Sequence, residues 1–177
     1  MRIFIPLLLL AIAGCSPAIT VYHDYNKSID FTSYQTFDWK MDLDVESRQN
    51  PLYYNELTDM RIREAVDEAL AAKGYNKTIV NPDFQIHYHI MVEDKSIATL
   101  DPLGHNYDAY WLGTAATSYQ YKEGTLIIDL MDADTNKLIW RGWAVAVLED
   151  LRRGVVEKRL KQTITRILGA LPNDAKK

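Results

Sequence analysis

The chain has 177 residues, 47% of them hydrophobic and 11% aromatic, with 20 Lys and Arg against 24 Asp and Glu for a formal net charge of −4. Such a composition excludes disorder over any large part, and no Lys/Arg cluster is dense enough to form a nucleic-acid or anionic-lipid patch. The single cysteine, Cys15, excludes an intrachain disulfide.

Residues 1–14 read as a signal peptide. Met1-Arg2 is a minimal positive start, and residues 3–12 form an apolar run too short to span a bilayer comfortably. The run ends in Ile12-Ala13-Gly14-Cys15-Ser16. Small residues before a cysteine at that point resemble the lipobox of bacterial lipoproteins. The resemblance implies cleavage before Cys15, a thioether-linked diacylglycerol on its sulfur and an acylated (palmitate-type) amine. The bland alternative is an ordinary signal peptide with an incidental cysteine. A lone thiol is a liability in an oxidising compartment, which favours its consumption by lipid. Two or three acyl chains anchor stably where one is marginal, so the mature protein is expected on a membrane surface in the periplasm. Ser16 stands where an aspartate would signal inner-membrane retention in enterobacteria, which points to the outer membrane of a Gram-negative bacterium. Cleavage removes Arg2 and takes the net charge from −4 to −5.

About 160 residues then remain, a normal size for one domain with a real core. Residues 15–20 are the lipidated end and a short tether, 21–171 the domain, and 172–177 a polar tail. Residues 19–25 (ITVYHDY) are β-branched and aromatic and predict a first strand. Residues 34–40 predict a second, with Phe37 and Trp39 alternating inward, and 41–51 are acidic and turn-like. A helix is predicted over 54–73, with Ile62, Val66, Ala69 and Leu70 on one stripe, Asp59 and Arg63 four apart, and Lys73-Gly74 closing it. Residues 84–93 alternate cleanly. Phe84, Ile86, Tyr88, Ile90 and Val92 face one way, and Gln85, His87, His89, Met91 and Glu93 the other, as in a half-exposed antiparallel strand.

Residues 95–117 show no period and predict a long loop. A hairpin follows: one arm over 125–131, a turn over Asp132-Ala133-Asp134-Thr135-Asn136-Lys137, and a second arm over 138–148. The last element is an amphipathic helix over 151–168 with the stripe Val156, Leu160, Ile164, Ile167 and Leu168; Asp150 can cap it, and Gly169 and Pro172 end it. The order β-β-α-β-β-β-α predicts an α+β fold, a mostly antiparallel sheet with two amphipathic helices packed on one face.

Three separated blocks, 21–39, 60–88 and 121–142, together resemble the bacterial lipoproteins grouped as domain of unknown function 4136. The specific pieces are Asp30-Phe31 with Tyr34 and Phe37, Lys73-Gly74-Tyr75, Pro82-Asp83-Phe84, Glu123-Gly124-Thr125-Leu126 and Trp140-Arg141-Gly142. The Tyr- and Trp-containing stretch 100–121 matches nothing in that pattern. The resemblance implies the fold and the cell-envelope address, and it brings no reaction and no catalytic residues.

His87-x-His89 is the one pair with metal-ligand spacing, since residues two apart on a strand present both imidazoles to the same side. A third ligand would have to come from His23, His105 or Glu93, and two polar residues on a solvent-side face are the plainer account. Asp132-x-Asp134-x-Asn136 imitates a calcium loop, but Lys137 and Trp143 occupy the positions that need glycine and glutamate. Asp129 and Arg141 can meet across the hairpin as a register-setting ion pair. No nucleophile motif and no phosphate-cradling glycine loop is present, so no catalytic residue, metal or cofactor is assigned and no enzyme activity is expected. Tyr107, Tyr110, Trp111 and Trp143 are the candidate binding aromatics; the alternative is that most such rings fill the core. Trp140 and Trp143, three apart, should face opposite sides of a strand.

The function expected is a non-catalytic binding or assembly role in the envelope. The partners are a membrane, through the acyl chains on Cys15, and an envelope protein, with no nucleic acid. The alternatives are a carrier or sensor of a small amphiphile held between sheet and helices and, behind it, an envelope enzyme.

Overall fold

The structure, a computed structural model, describes residues 19–40, 53–100, 116–148 and 153–172, with the backbone alone for 98–100, 116–119 and 153–155. The signal peptide, Cys15, the acidic turn 41–51, Asp150 and the tail beyond residue 172 lie outside the described residues.

The expected α+β architecture is present. The elements are β1 (Thr20–Tyr25), a single 3-10 turn (Phe31–Ser33), β2 (Thr36–Trp39), α1 (Glu56–Ala72), β3 (Asn76–Lys77), β4 (Phe84–Leu100), β5 (Ala116–Asp132), β6 (Leu138–Leu148) and α2 (Arg153–Gly169). They build one six-stranded sheet in the order β1-β6-β5-β4-β2-β3. β4, β5, β6 and β1 pair antiparallel, whereas β2 runs parallel to both β3 and β4. The two-residue β3 is an addition to the predicted order; it is too short to write a period into the sequence.

Both helices pack on one face of the sheet. Ile62, Ala65, Val66 and Leu70 of α1 meet Ile164, Ile167 and Leu168 of α2 over Phe84, Ile86, Tyr88, Leu126, Ile128, Leu130, Trp140 and Ala144, all buried. The helix ends obey local chemistry. Asn55 caps α1 by accepting from the Thr58 N–H at 3.0 Å, and Gly74, at φ +93°, takes the left-handed step past Lys73 while Tyr75 N–H returns to Leu70 O.

The predicted loop over 95–117 is corrected at both ends, because β4 runs on to Leu100 and β5 begins at Ala116. Their register continues without a break from Phe84↔Asp132 to Leu100↔Ala116. The sequence concealed this for a physical reason. Of the side chains described there, residues 94–97 and 120–122, none is buried, so no buried side imposes an alternation on them. A second local departure is a bulge between Leu130 and Met131, whose partners are Trp140 and Leu138. The extra residue lets consecutive side chains, Ile139 and Trp140, both turn inward.

One close approach pins α2 to the sheet. A side chain at Gly142 would run into the six-membered ring of Trp140 and come within 2.7 Å of Ile167 Cγ2. Both neighbours are fully buried and have nowhere to move. Gly142→Ala is therefore expected to destabilise the domain by about 1–3 kcal/mol through overpacking. The check is the urea midpoint at unchanged m-value, and an unaltered midpoint would show that the seam yields freely.

A second strut joins the segment before β2 to the hairpin turn. Tyr34 Oη–H donates to Asp132 Oδ2 at 2.8 Å, while Asp132 Oδ1 accepts from Thr135 N–H at 2.8 Å and from the Thr135 hydroxyl. Burial, reinforced by Asp132, pushes the Tyr34 phenol up from 10.0 to about 12. The Thr135 hydroxyl and N–H, then Tyr34, hold the Asp132 carboxyl below its ordinary value. A phenol whose folded pKa is raised contributes stability that is whole below pH 10 and lost as pH climbs through about 12. Absorbance titration of Tyr34→Phe should accordingly lose one tyrosine from the group ionising near pH 12. A tyrosine lost instead from the group ionising near pH 10 would contradict the strut.

Candidate functional site

The helices cover one side of the sheet, and among the described residues no element packs on the other. Strand parity decides what lies there. The register across β1, β6, β5 and β4 sets Tyr22, Trp143, Ile127 and His89 in one row, Asp24, Arg141, Asp129 and His87 in the next, and Thr20, Val145, Thr125 and Met91 in a third. Leu126, Ile128, Leu130, Trp140 and Ala144 alternate with them and point into the core. Open face and core are thus written into the same strands, one residue out of phase.

The middle of this face is an ion pair. Arg141 Nε and Nη2 donate to Asp129 Oδ1 and Oδ2, both at 2.6 Å, a bidentate fork between facing residues of β6 and β5. Asp129 is only 3% exposed although it lies on the side away from the helices, so its charge depends on Arg141 for solvation. The hydrogen bond from Arg141 and its proximity to the carboxylate raise the guanidinium pKa further. His89 Nε2 approaches Asp129 Oδ2 to 3.7 Å, and the rings of His87 and His89 meet edge-to-face with centroids 4.3 Å apart. The two imidazoles therefore share the side their spacing predicts and extend the polar row. Among the described residues, no group of three or more His, Cys, Asp or Glu is arranged to hold a metal ion.

Around the polar row lies apolar surface. Trp143, half-buried, stacks on Tyr22 at 5.5 Å between centroids with planes 20° apart. Tyr22 and Met91 are each 48% exposed, and Val147 is 49% exposed. Trp140, three residues from Trp143, is wholly buried, so the pair divides between the two sides as its spacing requires. Tyr107, Tyr110 and Trp111 lie outside the described residues. Tyr22, Ile127, Val145 and Val147 had no signal of their own in the sequence; only the cross-strand register joins them to Trp143.

Tyr88 is buried on the helix side and donates to Asp59 Oδ1 at 2.7 Å, with burial first and Asp59 second pushing its phenol well up. Asp59 also holds Arg63, whose guanidinium lies 4.5 Å over the Trp39 ring, while Trp39 Nε1–H donates to Asp67. These contacts between sheet and helices bind α1 to β2 and β4.

The sequence pieces that carried the family pattern are joints of this scaffold. Asp30 caps the 3-10 turn, Phe37 stacks on Phe84, and Tyr75 meets Phe84 edge-on. Asp83 Oδ2 accepts from Gln35 N–H, Thr36 N–H and the Thr36 hydroxyl; burial works to raise that carboxyl, but these bonds outweigh it and hold it below its ordinary value. Gly124 leaves room for Leu148, and Gly142 for Trp140. Arg141 and Thr125, from the same pieces, lie on the open face.

Residues 21–173 match the model of the family described as Domain of unknown function (DUF4136). No curated protein matches the chain. Among solved structures, a PDZ domain protein from Parabacteroides distasonis aligns with 91% of this chain and 38% of its own, at 14% identity and a TM-score of 0.56. The chain thus spans less than half of that protein, and the likeness extends to the fold alone. The PelC dodecamer from Paraburkholderia phytofirmans aligns over 90% of this chain and 100% of its own, at 9% identity and a TM-score of 0.47. A DUF330 protein from Xanthomonas campestris covers 85% of this chain and 88% of its own, at 15% identity and a TM-score of 0.40. The two lower-scoring likenesses carry no argument.

Removing Arg141 alone should leave a buried carboxylate without its partner. Arg141→Ala is expected to cost about 2 kcal/mol, less than a fully buried pair because the guanidinium is partly screened by water. In the double variant Asp129→Leu/Arg141→Met the charge is gone from both sides, and most of the loss should return. Urea unfolding of both variants decides it: a neutral single variant would mean that the pair does not organise this face.

Proposed function

The chain belongs to the DUF4136 family, and from that premise we propose that it is a lipid-anchored lipoprotein of the cell envelope with a non-catalytic binding or assembly role. Cys15 is the lipidated residue, the outer membrane is the address, and the open sheet face is the surface that meets a partner protein.

One observation carries the reading. A sheet with helices on one side leaves Tyr22, Trp143, Met91, Val145 and Val147 beside Arg141 on the other, several of them about half exposed. Tyr, Trp, Met and Arg are the residue types enriched at protein interfaces, whereas Lys, Glu and Asp are depleted there. Single exposed apolar side chains are ordinary on soluble proteins; a contiguous patch on a rigid sheet marks an interaction surface. The Tyr22–Trp143 stack supplies the aromatic anchor, and the Asp129-bound guanidinium of Arg141 presents a fixed donor next to it. A non-catalytic role is favoured by the scaffold duties of the family's sequence pieces.

The test is photocrosslinking in cells from the anchored, full-length chain. A photoreactive phenylalanine analogue replaces Met91 or Val147, and Lys158, exposed on α2, serves as the reference position. Discrete adducts from 91 and 147 but not from 158 are expected. Adducts of equal pattern at all three positions, or none, would overturn the role of the open face. In parallel, Cys15→Ala should move the protein out of the membrane fraction; continued sedimentation with membranes would overturn the anchor.

A further inference from the structure

The charge pattern of the open face fits a reversed copy of itself. Its polar row runs Asp24, Arg141, Asp129, His87 from β1 across β6 and β5 to β4. Apolar side chains flank the row on both sides. Trp143 and Ile127 face each other on one side of it, and Leu138 and Met131 meet on the other, past the bulge. Leu138 is 42% exposed there.

Two copies can lay these faces together about a two-fold axis in two ways, because such a contact uses the same residues on both sides. An axis across the strands sets every strand over its own copy. Arg141 then meets the second Arg141 when the axis lies on the polar row, and Asp129 meets Ile127 when it lies one row off. An axis along the strands, above the seam between β6 and β5, sets β6 over β5 of the second copy and β1 over its β4. Each row is then read backwards by the row above it. Arg141 comes over Asp129, Asp24 over His87, Trp143 over Ile127 and Leu138 over Met131. Every guanidinium stands between two carboxylates, its own and the second copy's. Only this disposition is complementary in charge.

The ion pair suits such a closure. Asp129 is already out of water, so closing the faces withdraws only the guanidinium. Arg141 keeps Nε and Nη2 on its own Asp129, and Nη1 is the nitrogen left for an acceptor across the contact.

Size agrees as well. The rows from Leu138 to Val147 span about 27 Å along β6, and four strands span about 19 Å, a flat footprint of roughly 500 Å². The relief of Tyr22 and Trp143 adds to it, toward the about 800 Å² that each partner buries in a standard interface. Sheets stacked face to face lie about 10 Å apart with strands within about 30° of each other, which leaves the seam on the axis in the closest contact.

We infer that the open face pairs with that of a second copy of this chain, about a two-fold axis parallel to β5 and β6. Two chains then form one β-sandwich with helices on both outer sides. The inference rests on the open face being the surface that meets a partner protein, and it names that partner.

The test irradiates, in cells, the anchored full-length chain with the photoreactive phenylalanine analogue at Met91. Adducts are sized and their linked peptides mapped by mass spectrometry. The expected adduct has twice the mass of the chain and is linked to β1, because Met91 lies over Thr20 of the second copy. Asp24→Lys in the same chain should reduce it about tenfold by setting like charges together. Asp24 is exposed, so this change leaves the core intact. A doubled mass linked at β4 would mean the other disposition and overturn the inference, as would an adduct that Asp24→Lys leaves undiminished. An adduct to a different protein overturns the self-pairing and keeps the open face as a binding surface. A link within one chain, or no adduct, overturns both.

Discussion

The architecture depends on the place where Trp140, Gly142 and Ile167 come together. Trp140 is the largest fully buried side chain among the described residues, and its ring occupies the room above Gly142 that any side chain would need. Ile167 closes the same space from α2. Dispersion and burial at such a seam are lost sharply with small displacements, so the helix has one seating on the sheet. The position of β6 follows from that seating. Since side chains alternate along a strand, fixing Trp140, Gly142 and Ala144 toward the helices fixes Arg141, Trp143 and Val145 toward the opposite side. A packing constraint inside the core thereby sets the geometry of the surface that is proposed to bind.

The same logic explains why a buried carboxylate can sit on an uncovered sheet. Asp129 lies on the central hairpin with Arg141 directly opposite, where the bidentate fork satisfies both carboxylate oxygens at once. Charged groups held this way stabilise little compared with an apolar pair of equal volume, but they penalise any slip of β5 against β6, because a one-residue shift would part the two charges and turn one of them into the core. The stack of Tyr22 on Trp143 does for β1 and β6 what the ion pair does for β6 and β5. These cross-strand ties fix the side chains of the open face relative to one another, which would lower the ordering cost of the proposed binding.

Much of this was legible in the residues. Alternation in 84–93 and the apolar stripes of the two helices predicted which side chains form the core, and Phe84, Ile86, Tyr88, Ile62, Val66, Leu70, Ile164, Ile167 and Leu168 are all buried. The turn over 132–137 followed from Asp and Asn chemistry, and its Asp132 is engaged with Thr135 and Tyr34. The long loop expected over 95–117 was the principal misreading, since strand continues to Leu100 and resumes at Ala116. Where no side chain of a strand is buried, as for the described residues 94–97 and 120–122, the sequence carries no period although the backbone is fully paired. The two-residue β3 and the bulge at Ile139 were hidden for related reasons, the first by brevity and the second because one extra residue breaks the phase of an otherwise regular strand.

By itself, then, the sequence determined the element types, the buried stripes and the family pattern, because local periodicity and turn chemistry depend on residues close together in the chain. The candidate face was beyond its reach. His87, Asp129, Arg141 and Asp24 come from four strands, and Tyr22 and Trp143 are more than a hundred residues apart. Nothing local fixes which strand neighbours which, or in what register; the sheet order β1-β6-β5-β4-β2-β3 does that, and it is settled by how the whole core packs. The residues pointed to helices on one side and to the Asp129–Arg141 pair; tertiary structure decided that this pair shares one face with Tyr22 and Trp143, a face on which no other element packs among the described residues.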